Sequence, residues 1–213
     1  FRSNIIINNM EPNNKKIIGI QNSLNNCYLN SVVQLLCNIP ELQSLNYNDD
    51  GVYKNFLDTY EEMYDTGNNI IDNENMLDIS SLKKSIVSCH SIYKGDHQQD
   101  VHEILNIILH HVHEGNSRGI NYINSNTEKT IIGYPVRKII IYAAKKWYED
   151  LNKEGESVVT TFLQGQIRSR LTCQICWKEK NNFEIFRDLS LPIEKDFDLY
   201  DCIKNFCSTE RME

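Results

Sequence analysis

Apolar residues recur at helical spacing four times in the first 115 positions. Leu29, Val32, Val33, Leu35 and Leu36 form a stripe that predicts a helix over 27–38, with Pro40 after its end. Val52, Phe56, Leu57, Tyr60 and Met63 repeat the pattern over 52–64. A shorter helix over 80–88 turns Leu82 and Ile86 inward behind Ser80 or Asp78 as cap. The strongest pattern runs over 97–114, where Val101, Ile104, Leu105, Ile108, Leu109 and Val112 share a face. Gly115 supplies its stop. His110, His111 and His113 fall in its last turn, where the helix dipole favours positive charge.

Past Gly115 the texture changes. Residues 116–135 are polar and turn-rich and read as a loop or insertion. Residues 136–150 suit a helix through Trp147, although Ile139-Ile140-Ile141 would also suit a strand. From 158 onward the pattern is strand-like, over 158–162, 166–172, 182–186 and 189–193, and 199–206 opens another helix. The expected class is therefore α+β, with helices first and strands later.

A length of 213 residues allows one large domain or two small ones. The net charge of -7, with no basic run, gives no electrostatic footprint for DNA or RNA and suits a partner with a basic surface. No apolar stretch approaches the roughly 20 residues a membrane span needs. The start, Phe1-Arg2-Ser3-Asn4, has no Met and no apolar leader, so no signal peptide is expected and the gene is expected to begin earlier. Seven cysteines (Cys27, Cys37, Cys89, Cys173, Cys176, Cys202 and Cys207) are odd in number and irregular in spacing. They read as reduced thiols, a metal site or a nucleophile in the cytoplasm or nucleus, not as a disulfide framework.

Cys27 sits where a polar, turn-forming segment runs into an apolar helix. A thiol at a helix N-terminus is held below its free pKa of about 8.5, which favours the thiolate that a nucleophile needs. Asn22, five residues upstream, is placed to offer its side-chain amide to a developing oxyanion. A buried cysteine beside an ordinary N-cap is the plain alternative, and these residues alone leave both open. Asp100 and Glu103 are three apart on one helix face, with access to solvent. Cys173-x-x-Cys176 on a tight turn brings two thiols together, half of the four ligands a structural zinc needs. Cys37 and Cys89 read as small core residues, and Cys202 and Cys207 as structural.

Three stretches together change the weight of these readings. Gly19, Asn22, Asn25, Cys27, Tyr28, Asn30, Ser31, Gln34 and Leu36 fall in register with the cysteine box of the ubiquitin-specific proteases, which this segment resembles. Leu24 stands where that family has Gly, and Asn26 where it has Thr. His97-Gln98-Gln99-Asp100-Val101-His102-Glu103 resembles the family's Gln-Gln-Asp box. Phe162-Leu163-Gln164-Gly165 through Cys173-Gln174-Ile175-Cys176, followed by Arg187-Asp188-Leu189-Ser190-Leu191-Pro192-Ile193, resembles its fingers and first palm strands. Trp177 departs there from a usual small residue.

The resemblance implies a papain-like cysteine protease: a lead-in over 1–16, a helical thumb over 17–135 and the start of an antiparallel β fingers and palm region over 136–213. It implies hydrolysis of the bond after the C-terminal glycine of ubiquitin, with Cys27 as nucleophile and Asn22 at the oxyanion. Gln98, Asp100 and Glu103 are then candidates to bind the arginine-bearing tail of ubiquitin. The implied partners are ubiquitin and ubiquitinated proteins. No cofactor is needed for catalysis, and Cys173 and Cys176 would be a half site for a structural zinc in the full-length domain. All six histidines lie between 90 and 113, outside any context like the family's histidine box. The chain is thus expected to hold the nucleophile without its base, and to be inactive alone. Two further readings stand beside this one: a catalytically inactive relative that binds ubiquitin or scaffolds a complex, and a plain zinc ribbon built from Cys173, Cys176, Cys202 and Cys207.

Overall fold

The structure, a computed structural model, describes residues 18–23, 25–44, 51–68, 76–118 and 138–211. The lead-in 1–16, Leu24 and most of the polar stretch 116–135 lie outside the described residues. The chain divides into two compact units, 1–118 with 156–159, and 119–155 with 160–213.

The first unit is helical. Helix α1 spans Cys27–Leu36 and buries Leu29, Val32, Val33 and Leu36, while Leu35 is exposed. Helix α2, Gly51–Asn68, buries Val52, Tyr53, Phe56, Leu57 and Tyr60. Helix α3, Ser80–Cys89, buries Leu82 and Ile86. Helix α4, Val101–Asn116, buries Ile104, Ile108, Leu109 and Val112. Helix α2 packs against α3 and α4, and α1 packs against α4. Each fully buried aliphatic or aromatic side chain contributes about 1.5–3 kcal/mol to this core.

Some expectations change in detail. Helix α4 starts at Val101 rather than at 97, because Asp100 caps it, and Val101 itself is exposed. Helix α3 has Ile79 as its N-cap residue, and Asp78 Oδ1 accepts the Ser80 N–H at 2.9 Å. Gly115 does not stop α4: the helix continues through it to Asn116. A Cβ there would fall 2.2 Å from Tyr53 Cδ1, so glycine serves close approach of the α2 aromatic ring. His113 is not a free charge at the helix end. It is buried, and its Nδ1 lies 2.7 Å from Ser157 Oγ. Ser157 belongs to the segment 156–159, which pairs back through Arg118 N–H to Glu156 O at 2.9 Å and Glu156 N–H to Arg118 O at 3.1 Å.

Cys37 caps the C-terminal end of α1 and is buried, a small core residue as expected. Burial pushes its thiol from 9.0 up to about 12. The folded-state pKa is the higher one, so its contribution to stability is complete below pH 9 and is lost as pH rises from 9 towards 12. The urea midpoint is expected to fall across that window, and Cys37→Ala is expected to remove part of the slope; an unchanged slope in the variant would contradict this assignment. Cys89 differs from expectation: as the last residue of α3 it is exposed.

In the second unit, helix α5 spans Lys138–Glu154, so Ile139-Ile140-Ile141 is helical rather than extended. The run 158–162, whose first two residues belong to the first unit, is also helical, as the short helix α6, Val158–Phe162. Its β-branched residues favour strands in isolation. Here Val158, Val159 and Thr160 are buried, the Val158 N–H donates to Asn116 Oδ1 at 3.5 Å, and the Thr160 hydroxyl donates to Gly155 O at 3.4 Å. Local burial and capping therefore override propensity.

Strands β1, Gly165–Thr172, and β2, Glu179–Phe186, form an antiparallel hairpin in register from Gly165 opposite Phe186 to Thr172 opposite Glu179. Gly165 is required by its partner: a Cβ would lie 2.6 Å from Phe186 Cζ. Tyr142 on α5 packs edge-on against Phe183 of β2, ring centroids 5.7 Å apart. The expected strand over 189–193 does not form; a strand needs a partner, and these residues pair with none among the described residues. Helix α7, Leu199–Phe206, is fixed by a capping box between Asp198 and Asp201. The α+β class holds.

Candidate active site

The chain approaches Cys27 along an anchored segment. The Leu77 N–H donates to Gly19 O and the Gln21 N–H to Leu77 O, both at 2.9 Å. Two α1 side chains hold the same segment: Gln34 Nε2 donates to Ile18 O at 2.6 Å and Asn30 Nδ2 to Gln21 O at 3.4 Å. A turn follows, in which Asn25 takes a left-handed backbone with φ of 56°. Asparagine is one of the few residues with a side chain that tolerates this conformation. Its amide donates to Asp96 O at 3.0 Å, tying the turn to the segment leading into the Gln-Gln-Asp stretch.

Cys27 is the first residue of α1 and is exposed. Asn26 precedes it at the N-cap position, yet its side chain does not cap the helix. The N–H groups of the first turn are thus not spent on the Asn26 side chain. Asn22 is exposed, on the anchored segment ahead of the turn. The structure thus places both proposed catalytic residues on one short stretch held by named hydrogen bonds.

No sequence pattern marks Lys83. It reaches from α3 to the cysteine turn, where its Nζ donates to Asn26 Oδ1 at 2.9 Å and to the Tyr28 hydroxyl at 2.5 Å. Tyr28 in turn packs against Tyr93, ring centroids 6.3 Å apart. Burial, then the neighbouring Glu103 carboxylate, pushes the Tyr93 hydroxyl pKa upward.

Gln98, Asp100 and Glu103 are exposed around the start of α4. Asp100 is engaged as the N-cap: Oδ1 accepts the His102 N–H at 2.7 Å and the Glu103 N–H at 3.4 Å. Its role in holding α4 and any role in binding a basic tail are separable. Asp100→Asn keeps an oxygen that can cap and removes the charge, whereas Asp100→Ala removes both. Asp100→Ala is expected to lower stability by about 1 kcal/mol and Asp100→Asn by much less. If the charge binds a basic tail, both variants raise KM for a ubiquitin substrate. An unchanged KM in Asp100→Asn would leave this residue with the capping role alone.

Most of the histidines have structural contacts. His102 Nε2 lies 3.0 Å from Asn106 Nδ2, His110 Nε2 lies 3.4 Å from Glu114, His90 packs on His111 with centroids 5.8 Å apart, and His113 meets Ser157.

Cys173 and Cys176 are exposed on the turn between β1 and β2. The turn is closed by Cys173 N–H to Lys178 O at 3.0 Å and Trp177 N–H to Cys173 O at 2.9 Å. Trp177 adopts φ of 56° there, which explains why a small residue would suit this position. The backbone N–H groups of Cys176 and Ile175 point at the Cys173 sulfur and lower its pKa. Two thiols on such a turn fit half of a tetrahedral zinc site. Among the described residues no group of three His, Cys, Asp or Glu is placed to hold a metal. Cys202 is buried on α7 and Cys207 is exposed at its C-cap, and neither is grouped with Cys173 and Cys176 among the described residues.

Comparison with known proteins agrees with this arrangement. The family pattern described as "Ubiquitin carboxyl-terminal hydrolase" matches residues 18–197. "Ubiquitin carboxyl-terminal hydrolase 4" of Eremothecium gossypii is 26% identical over 224 residues, covering 92% of this chain and 26% of that protein. "Ubiquitin carboxyl-terminal hydrolase 5" of Saccharomyces cerevisiae is 24% identical, over 99% of this chain and 29% of that protein. The chain thus spans between a quarter and a third of the length of these two relatives. Among solved structures, the SAGA Ubp8/Sgf11/Sus1/Sgf73 DUB module bound to ubiquitin aldehyde aligns with a TM-score of 0.64 at 19% identity, over 96% of this chain and 42% of the matched one. That likeness gives the fold, the papain-like α+β arrangement expected from the three boxes. The family pattern covers most of the 213 residues, and the chain belongs to the ubiquitin carboxyl-terminal hydrolase family.

Proposed function

We propose that this chain carries the nucleophile of a deubiquitinating thiol hydrolase acting on the bond after the C-terminal glycine of ubiquitin. The Cys27 thiolate attacks the carbonyl carbon, Asn22 donates to the oxyanion, the intermediate collapses with cleavage of the C–N bond and departure of the protonated amine, and water then hydrolyses the thioester to the ubiquitin carboxylate and free Cys27. The observation that carries this reading is the exposed Cys27 at the first residue of α1, behind a turn held by Asn25, Asn30 and Gln34. Gln98, Asp100 and Glu103 are proposed to receive the basic tail of ubiquitin through charge-assisted hydrogen bonds. The base for Cys27 and the residue that orients it are proposed to come from segments of the catalytic domain outside these 213 residues, which leaves this piece inactive alone. A structural zinc, if the full domain holds one, would take Cys173 and Cys176 as two of its ligands. The cytoplasm or nucleus suits the exposed thiols.

The test is intact mass of the natural-length protein after exposure to ubiquitin bearing a C-terminal electrophile. An adduct of one ubiquitin on the Cys27 peptide supports the reading. No adduct, in a protein that still binds ubiquitin, would make it a binding or scaffolding relative instead.

A further inference from the structure

Cys27 is exposed, but its two sequence neighbours are not: Asn26 is 8% exposed and Tyr28 3%. Each carries a polar side-chain group into the protein, and burying such a group without a partner is costly. One group satisfies both. Lys83 Nζ donates to Asn26 Oδ1 at 2.9 Å and to the Tyr28 hydroxyl at 2.5 Å, across 57 and 55 residues of sequence. The ammonium also lies 5.0 Å from the Tyr28 ring centroid. Lys83 is half-buried on α3, beside Leu82, so its reach starts from a fixed part of the core. The other contact of the Asn26 amide, to Ser23 Oγ, is long at 3.5 Å. Asn26 stands where the family has Thr, and asparagine supplies the carbonyl oxygen that the ammonium takes.

We propose that Lys83 is a positioning residue for catalysis: it clamps the residues on both sides of Cys27 and so holds in place the backbone that carries the thiol. The proposal rests on the reading of Cys27 as the nucleophile. Hydrogen bonds from a charged donor are shorter and stronger than neutral ones, and two of the three ammonium protons are used here. With both neighbours held, the backbone from which the Cys27 side chain projects has little freedom to shift. Misplacement of a reacting group by about 1 Å can lower a rate on the order of 100-fold.

The test is steady-state hydrolysis of a ubiquitin–fluorophore by the natural-length protein. Lys83→Met is expected to lower kcat roughly 10- to 100-fold with KM little changed. Lys83→Arg, which keeps a cation with several donors, is expected to recover most of that loss. In an Asn26→Ala/Tyr28→Phe background, Lys83→Met should cost nothing further, because the clamp has nothing left to hold; a merely structural lysine would cost the same in both backgrounds. Wild-type kcat in Lys83→Met, or an equal loss in both backgrounds, overturns the clamp while turnover lost in Cys27→Ser keeps the nucleophile. Absence of turnover and of any Cys27 adduct in the wild-type protein overturns the nucleophile reading, and the clamp with it. Should thermal unfolding show that Lys83→Met does not fold, Asn26→Ala and Tyr28→Phe each remove one arm with the cation retained, and wild-type kcat in both overturns the proposal.

Discussion

Cys27→Ser in the natural-length protein is expected to remove turnover of a ubiquitin–fluorophore by 1,000-fold or more, with binding of ubiquitin retained. A serine hydroxyl is nearly isosteric with the thiol, but its proton is held far more tightly, and the base that serves a thiol cannot free it at neutral pH. The change should spare the fold, since Cys27 is exposed and the helix behind it is held by Leu29, Val32, Val33 and Leu36. Cys89, Cys173, Cys176 and Cys207 are also exposed, so thiol reactivity as such does not identify the nucleophile. What sets Cys27 apart is its place at the open end of a helix. Alanine at Cys89 should leave kcat intact. Turnover that survives Cys27→Ser would place the nucleophile elsewhere.

Much of this was legible from the residues. The four helical stripes of the first unit correspond to α1 through α4, because each stripe becomes one buried face and tertiary packing agrees with local pattern. The hairpin was legible too, since Gly165 and Phe186 mark its open end and the two cysteines its turn. The misses share a cause. The Val158–Phe162 run has strand composition, yet Asn116 and Gly155 offer hydrogen-bond partners to its Val158 and Thr160. Residues 189–193 have strand composition and lack a strand to pair with. Lys83 looked like any lysine on an amphipathic helix, and its two acceptors lie more than fifty residues away. Local pattern reports what a segment prefers, while these outcomes depend on what the distant chain brings to it.

Gly115 allows that distinction to be measured, because local and tertiary effects predict opposite signs. By helix propensity alone, Gly115→Ala inside α4 should stabilise by about 1 kcal/mol. The structure places a new Cβ 2.2 Å from Tyr53 Cδ1 and 2.7 Å from Cγ and Cε1. Tyr53 is fully buried, so its ring has no free space into which to turn. Overpacking of this kind costs about 1–3 kcal/mol, sometimes more, and is expected to outweigh the propensity gain. Gly115→Ala should therefore lower stability by about 1–2 kcal/mol, and Gly115→Val, which adds two further methyl groups at the same contact, by about 3 kcal/mol or more. Urea unfolding followed by circular dichroism reads both. The decisive comparison is a cycle with Tyr53→Ala, itself expected to cost about 3–5 kcal/mol. With the ring gone, Gly115→Ala should cost nothing or stabilise, a coupling of about 1–3 kcal/mol between two residues 62 positions apart in the chain. If Gly115→Ala stabilises the protein with Tyr53 in place, the glycine ends or loosens the helix as its sequence context alone implies, and α2 and α4 do not meet as closely as this packing requires.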